Sequence, residues 1–197
     1  MARQYFRSPL VDSLITPISA VTPTTVETSI FSVTQATKFL ALPFGQNAPS
    51  PGQVFRVRAG GLITTPASGT IVIGAYHGAG AAATTFGTLL GKSNTITPPF
   101  SVTAGYWRLE GDLIYRTISE IATTSTAWFS GKFSINGPSG AATVTAEAII
   151  SSGAAISVDT TGTGALAASW GALNFTITEG TTGSTITPEW AYSESVN

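Results

Sequence analysis

Glu110 and Asp112 are the two residues whose type and spacing come nearest to a catalytic pair. They lie two apart in the run Trp107-Arg108-Leu109-Glu110-Gly111-Asp112-Leu113-Ile114-Tyr115-Arg116-Thr117-Ile118. On an extended strand, residues i and i+2 share a face about 7 Å apart. Two carboxylates at that range could serve a glycosidase. A general acid, however, needs a desolvated carboxyl that stays protonated. Arg108 and Arg116 alternate onto the same face, opposite in charge to both groups. The pattern fits a structural charge ladder better than an acid–base pair.

Other candidate chemistry is weaker. Gly87-Thr88-Leu89-Leu90-Gly91-Lys92-Ser93 has three residues between its glycines where a P-loop needs four. It leads into Asn94-Thr95-Ile96-Thr97-Pro98-Pro99 instead of a helix whose amides could meet a phosphate. It reads as a strand end with a solvated Lys92. His77 is the single histidine, among glycines, and reads as an exposed or hydrogen-bonded loop residue. A hydrolase triad would need a serine and an aspartate beside it, and no G-x-S-x-G elbow occurs. With no Cys and one His there is no zinc set. Asp12, Asp112 and Asp159 are too scattered for a calcium loop. Trp107, Trp128, Trp170 and Trp190 could line a sugar-binding face, although the alternation around Trp107 and Trp128 favours core or subunit contacts. Asn174-Phe175-Thr176 fits a glycosylation pattern but sits inside an expected strand.

The elements that carry these residues are strands. The chain has 197 residues, of which only 10% are charged, against roughly a quarter in typical soluble proteins. Lys and Glu are scarce, so long solvated helices are not expected. Thr, Val and Ile are plentiful and favour strands. Net charge is −1 and the pI about 5.7, without the basic footprint of a nucleic-acid binder. No apolar stretch is long enough to span a bilayer as a helix. Met1-Ala2-Arg3-Gln4-Tyr5 does not open a signal peptide. No cofactor is expected.

Residues 1–24, punctuated by Pro9, Pro17 and Pro23, read as an extended N-terminal arm. Residues 25–197 read as one domain of nine or ten short strands. The 53–64 run puts Phe55, Val57 and Ala59 on one face and Val54, Arg56 and Arg58 on the other. Residues 69–77 follow a Pro66–Gly69 turn, and the two runs look like a hairpin. The 126–135, 142–150, 154–159, 172–178 and 184–192 runs complete the set. The fold class expected is all-β: an antiparallel jelly-roll-like β-sandwich with that arm. If 53–64 lies beside 106–118, Arg56 and Arg58 face Glu110 and Asp112, a cross-strand ladder that Arg108 and Arg116 extend. Such pairs set register more than stability.

Three segments occur in order: Thr24-Thr25-Val26-Glu27-Thr28-Ser29-Ile30-Phe31, then Pro51-Gly52-Gln53-Val54-Phe55-Arg56-Val57-Arg58-Ala59-Gly60-Gly61, then Tyr106–Ile118. In this the chain, over residues 24–135, resembles virion structural proteins of tailed bacteriophages, the small β-sandwich proteins that decorate or cement capsids. The resemblance implies self-association, commonly as homotrimers, attachment to the major capsid protein shell, no catalysis and no cofactor. The expectation is a non-enzymatic virion protein on the capsid surface, made in the host cytoplasm, binding neither nucleic acid nor membrane. Tyr5, Phe6, Leu10, Val11, Leu14 and Ile15 would form a capsid-anchoring arm. The alternative is a tail or fibre module binding a host-surface glycan, for which Tyr76 near His77 or Tyr192 near Trp190 would be the aromatic contacts. A hydrolase acting through the carboxylates is the third reading.

Overall fold

Period-two runs become strands because alternate residues find a dry and a wet side. In the computed structural model they are β1 (Val11–Leu14), β2 (Thr28–Ser29), β3 (Leu40–Ala41), β4 (Val54–Thr65), β5 (Ile71–His77) and β6 (Thr88–Ser93). β7 (Val102–Thr117), β8 (Ser125–Asn136), β9 (Thr145–Ser151), β10 (Ile156–Val158), β11 (Ala172–Glu179) and β12 (Thr185–Ser195) follow. The structure describes residues 11–14, 20–31, 40–41, 49–67, 69–78, 86–98, 101–118, 125–137, 145–158, 172–181 and 183–196.

The strands form one curled antiparallel sheet in the order β1-β12-β4-β7-β8-β9-β6-β5-β11-β2, with β10 on β8 and β3 on β11. The curl makes two layers. The large one is β1-β12-β4-β7-β8-β9 and the small one β6-β5-β11-β2. They join where Lys92 and Ser93 of β6 pair with Ser151 and Ile150 of β9. The β4–β12 ladder of one layer continues as the β5–β11 ladder of the other. Their two crossovers run side by side, tied by the Gly180 amide donating to the Thr70 carbonyl at 2.9 Å. A long antiparallel ribbon folded over in this way is a jelly-roll-like β-sandwich, as the alternation led one to expect.

The hairpin expected between 53–64 and 69–77 is not formed. β4 pairs with β12 and β7, and β5 with β6 and β11. Both strands bury their apolar sides, so each serves the core better from an opposite layer than edge to edge. The Pro66–Gly69 turn does close, Gly69 N–H donating to the Pro66 carbonyl at 3.1 Å, but it redirects the chain across the sandwich.

The interior is filled from both layers. Phe55, Val57, Trp107, Leu109, Leu113, Phe129 and Phe133 come from the large layer; Ile71, Ile73, Phe175 and Ile177 come from the small one. Phe129 of β8 meets Phe175 of β11 with ring centroids 5.8 Å apart. Trp107 and Phe133, on paired strands, stack at 5.7 Å. The core side read from the 107–115 alternation is fully buried at Trp107, Leu109, Leu113 and Tyr115.

The described residues among the first 24 lie against the chain's own sheet. β1 pairs with β12, and Val21, fully buried, bridges Ile186. The segment then crosses to the small layer, where Thr28 and Ser29 pair with β11. Extended backbone was expected over 1–24, and its described parts lie along the chain's own sandwich. β2 is only two residues long because Ile30 and Phe31, which follow it, both turn into the core.

Candidate functional site

The outward side of β4, β7 and β8 assembles the charged residues singled out above. Register places Arg56 opposite Asp112 and Arg58 opposite Glu110, with Ser130 and Lys132 as the next rungs on β8. Arg56 holds Asp112 side-on, Nε donating to Oδ1 at 3.0 Å and Nη2 to Oδ2 at 3.5 Å. Arg108 pairs with Glu110 along its own strand, and Lys132 reaches Glu147 on β9 at 2.9 Å. Arg58 faces Glu110 in register, but its Nη1 donates to the Tyr192 hydroxyl at 3.0 Å. Arg116 lies on the same strand face, exposed.

Arg56, Arg58, Glu110, Asp112, Ser130 and Lys132 line a shallow depression of about 550 Å³, together with Ile149. Ile149 is 70% exposed, unusual for an isoleucine and consistent with the alternation expected for 142–150. From β12, Trp190 and Tyr192 lean onto β4 beside it. Register pairs them with Gly60 and Arg58, and their rings lie 6.1 Å apart with planes within 28°. Tyr106, 51% exposed, donates its hydroxyl to Glu189 at 3.1 Å.

The small layer holds a second polar cluster that sequence reading missed. Glu27 lies over the outside of β5, β6 and β11 and accepts from Tyr76 at 2.8 Å, Lys92 at 3.0 Å and Thr176 at 2.6 Å. Burial pulls the Glu27 carboxyl up, but these donors and the Lys92 charge outweigh it and hold it below its usual range. Burial and the bond to Glu27 push the Tyr76 phenol up. Lys92, expected to be solvated, is therefore ion-paired, because the entering chain brings a carboxylate to it. The P-loop-like run is β6, as its strand reading required.

His77 is the last residue of β5, not a loop residue, and is buried. Its Nε2 lies 2.6 Å from the Tyr115 hydroxyl, so it joins the two layers through the core. Tyr76 is buried too, so the expected Tyr76–His77 aromatic contact is not a surface. Asn174 is buried in β11 and accepts from Ser29 Oγ at 2.9 Å, which closes the glycosylation reading. Glu179 was also not singled out. It is fully buried where β11 ends, and its Oε1 accepts from the Ser184 amide at 2.9 Å and from the Ser184 hydroxyl.

Of the anchoring residues, Tyr5, Phe6, Leu10 and Ile15 lie outside the described residues, as does Trp170. Val11 and Leu14 belong to β1, paired through the backbone to Glu194 and Ala191. Trp107 is core, whereas Trp128 is half-buried on the outward side of β8. Among the described residues no group of three or more His, Cys, Asp or Glu could hold a metal, and no helix is long and apolar enough to cross a membrane. No protein-family model, curated protein or solved structure matches the chain.

Proposed function

We propose that this chain is a non-enzymatic structural protein of a bacteriophage particle: a capsid decoration or cement protein that self-associates, as a trimer, and binds the major capsid protein shell. The phage assignment rests on the sequence resemblance over residues 24–135. The observation that carries an assembly role is the outward side of the large layer. There Arg56, Arg108 and Lys132 are each engaged by a carboxylate while Ile149 and Tyr106 stand exposed beside them. A rigid sheet face that pairs these charges and leaves apolar side chains uncovered can meet a partner without burying those charges unpaired. Residues 1–10 precede an edge strand of that layer and supply the anchoring arm, with Tyr5, Phe6 and Leu10 as its apolar contacts.

Co-sedimentation with empty capsids of the encoding phage tests this. The full chain is expected to pellet with shells. A variant lacking residues 1–10 should keep its melting transition and stay in the supernatant. Shell binding undiminished by the deletion rules out the arm, and no binding by the full chain rules out the decoration role.

A second reading has one observation of its own. Trp190 and Tyr192 sit half-buried on the outward sheet face beside Arg58, an arrangement suited to a tail or fibre module that binds a host-surface glycan.

A further inference from the structure

We propose that the depression on the outward side of the large layer binds a sugar that carries a carboxylate. The Arg58 guanidinium takes the carboxylate, and Trp190 with Tyr192 takes the apolar face of the ring. The proposal deepens the glycan-binding reading and rests on it.

Of the three cations that line the depression, Arg58 is the one without a carboxylate partner among the described residues. Arg56, Arg108 and Lys132 have carboxylate partners in Asp112, Glu110 and Glu147. Arg58 has no ion pair among the described residues; Glu110, its register partner, is held by Arg108. Nη1 is used by Tyr192, and Nε is shielded from water with no hydrogen-bond partner. That leaves the Nε–Nη2 edge, the same edge by which Arg56 next door holds Asp112. A shielded donor without a partner costs free energy. A carboxylate accepting from both nitrogens removes the cost with two charge-assisted bonds in a fixed fork. Arg58 lines the depression, and turning its guanidinium off the Tyr192 hydroxyl would bring that fork to a ligand seated there.

The surroundings suit a small polar ligand. About 550 Å³ is a small-molecule volume. Three cations against two carboxylates line it, together with Ser130. The aromatic pair beside the depression is fixed in place: a Cβ at Gly60 would stand 2.5 Å from Trp190 Cζ2, so glycine is what lets the indole lie on β4. The lining is polar but for Ile149 and two glycines, and Trp190 and Tyr192 stand next to it on β12, across β4 from β7.

The test is titration of the full chain, followed by tryptophan fluorescence and calorimetry, with N-acetylneuraminic acid, glucuronic acid and glucose. At least one acid is expected to bind ten times or more tighter than glucose. Arg58→Gln should lose tenfold or more for the acid and leave glucose unchanged. Arg58→Lys, which keeps the charge but not the fork, should fall between. It also serves if Arg58→Gln does not fold by circular dichroism. Gly60→Ala, which displaces the indole, should weaken every sugar, and Lys92→Gln on the other layer none. Glucose bound as tightly as the acids, with Arg58→Gln indifferent, overturns the carboxylate assignment and leaves the glycan reading standing. No sugar bound overturns both, and a poly-glutamate peptide binding in their place would mark the face as a protein contact.

Discussion

Glu27 reaches donors on three strands, and its carboxyl is held below the usual range despite burial. Its contribution is therefore fully present above the pKa of the unfolded carboxyl and is lost as pH falls through the lower folded value. Glu27→Gln is expected to cost about 1–2 kcal/mol near neutral pH. The gap in melting temperature from the parent chain should close below about pH 4, and a gap independent of pH would contradict the assignment. Gly111 is a second single-residue dependence. A Cβ there would stand 2.5 Å from Phe129 Cζ, in a fully buried ring. Gly111→Ala should destabilise by about 1–3 kcal/mol through overpacking, and trimming the ring in Gly111→Ala/Phe129→Leu should recover part of the loss in urea unfolding. The strand face of Gly111 was legible from alternation. The partners of Glu27 were not, because they come from residues 49, 65 and 149 positions away along the chain.

At the scale of elements, the β4–β7 pairing was legible in the charges: Arg-x-Arg on one run and Glu-x-Asp on the other admit a register in which opposite signs meet. That register forms, with Arg56 on Asp112. Both side chains remain more than a third exposed, 36% and 38%, so solvent screens the pair. A double-mutant cycle with Arg56→Gln and Asp112→Asn should return a coupling of no more than about 1 kcal/mol, falling with added salt. A larger, salt-insensitive value would mean the pair is a stability determinant. The layer assignment of β4 and β5 was not legible. A short Pro-Gly turn between two half-apolar runs looks the same whether the chain doubles back in one sheet or crosses to another. What decides it is the long-range pairing of β4 with β12 and β5 with β11. The His77–Tyr115 bond is one consequence of that crossing. Tyr115→Phe is expected to cost about 1 kcal/mol in stability, read from chemical unfolding, with no change in strand content.

For the whole molecule, low charge and dense β-branching made an all-β sandwich legible, because such a chain lacks residues to solvate helices and has many that fit a pleated sheet. The role of its beginning was less legible. Pro spacing marks extended backbone but not its partner, and Val21 proves to be part of the core. Removing residues 1–10 should leave the sandwich folded, whereas removing 1–24 takes away β1 and the Val21–Ile186 bridge and should lower the melting temperature by several degrees. Attachment to a phage capsid shell, the proposed role, is read most directly by imaging. Electron microscopy of assembled particles, with this chain tagged at its C-terminus, is expected to show regular label over the capsid surface, lost when residues 1–10 are deleted. Label confined to the tail tip or fibres, with a bare shell, would contradict it.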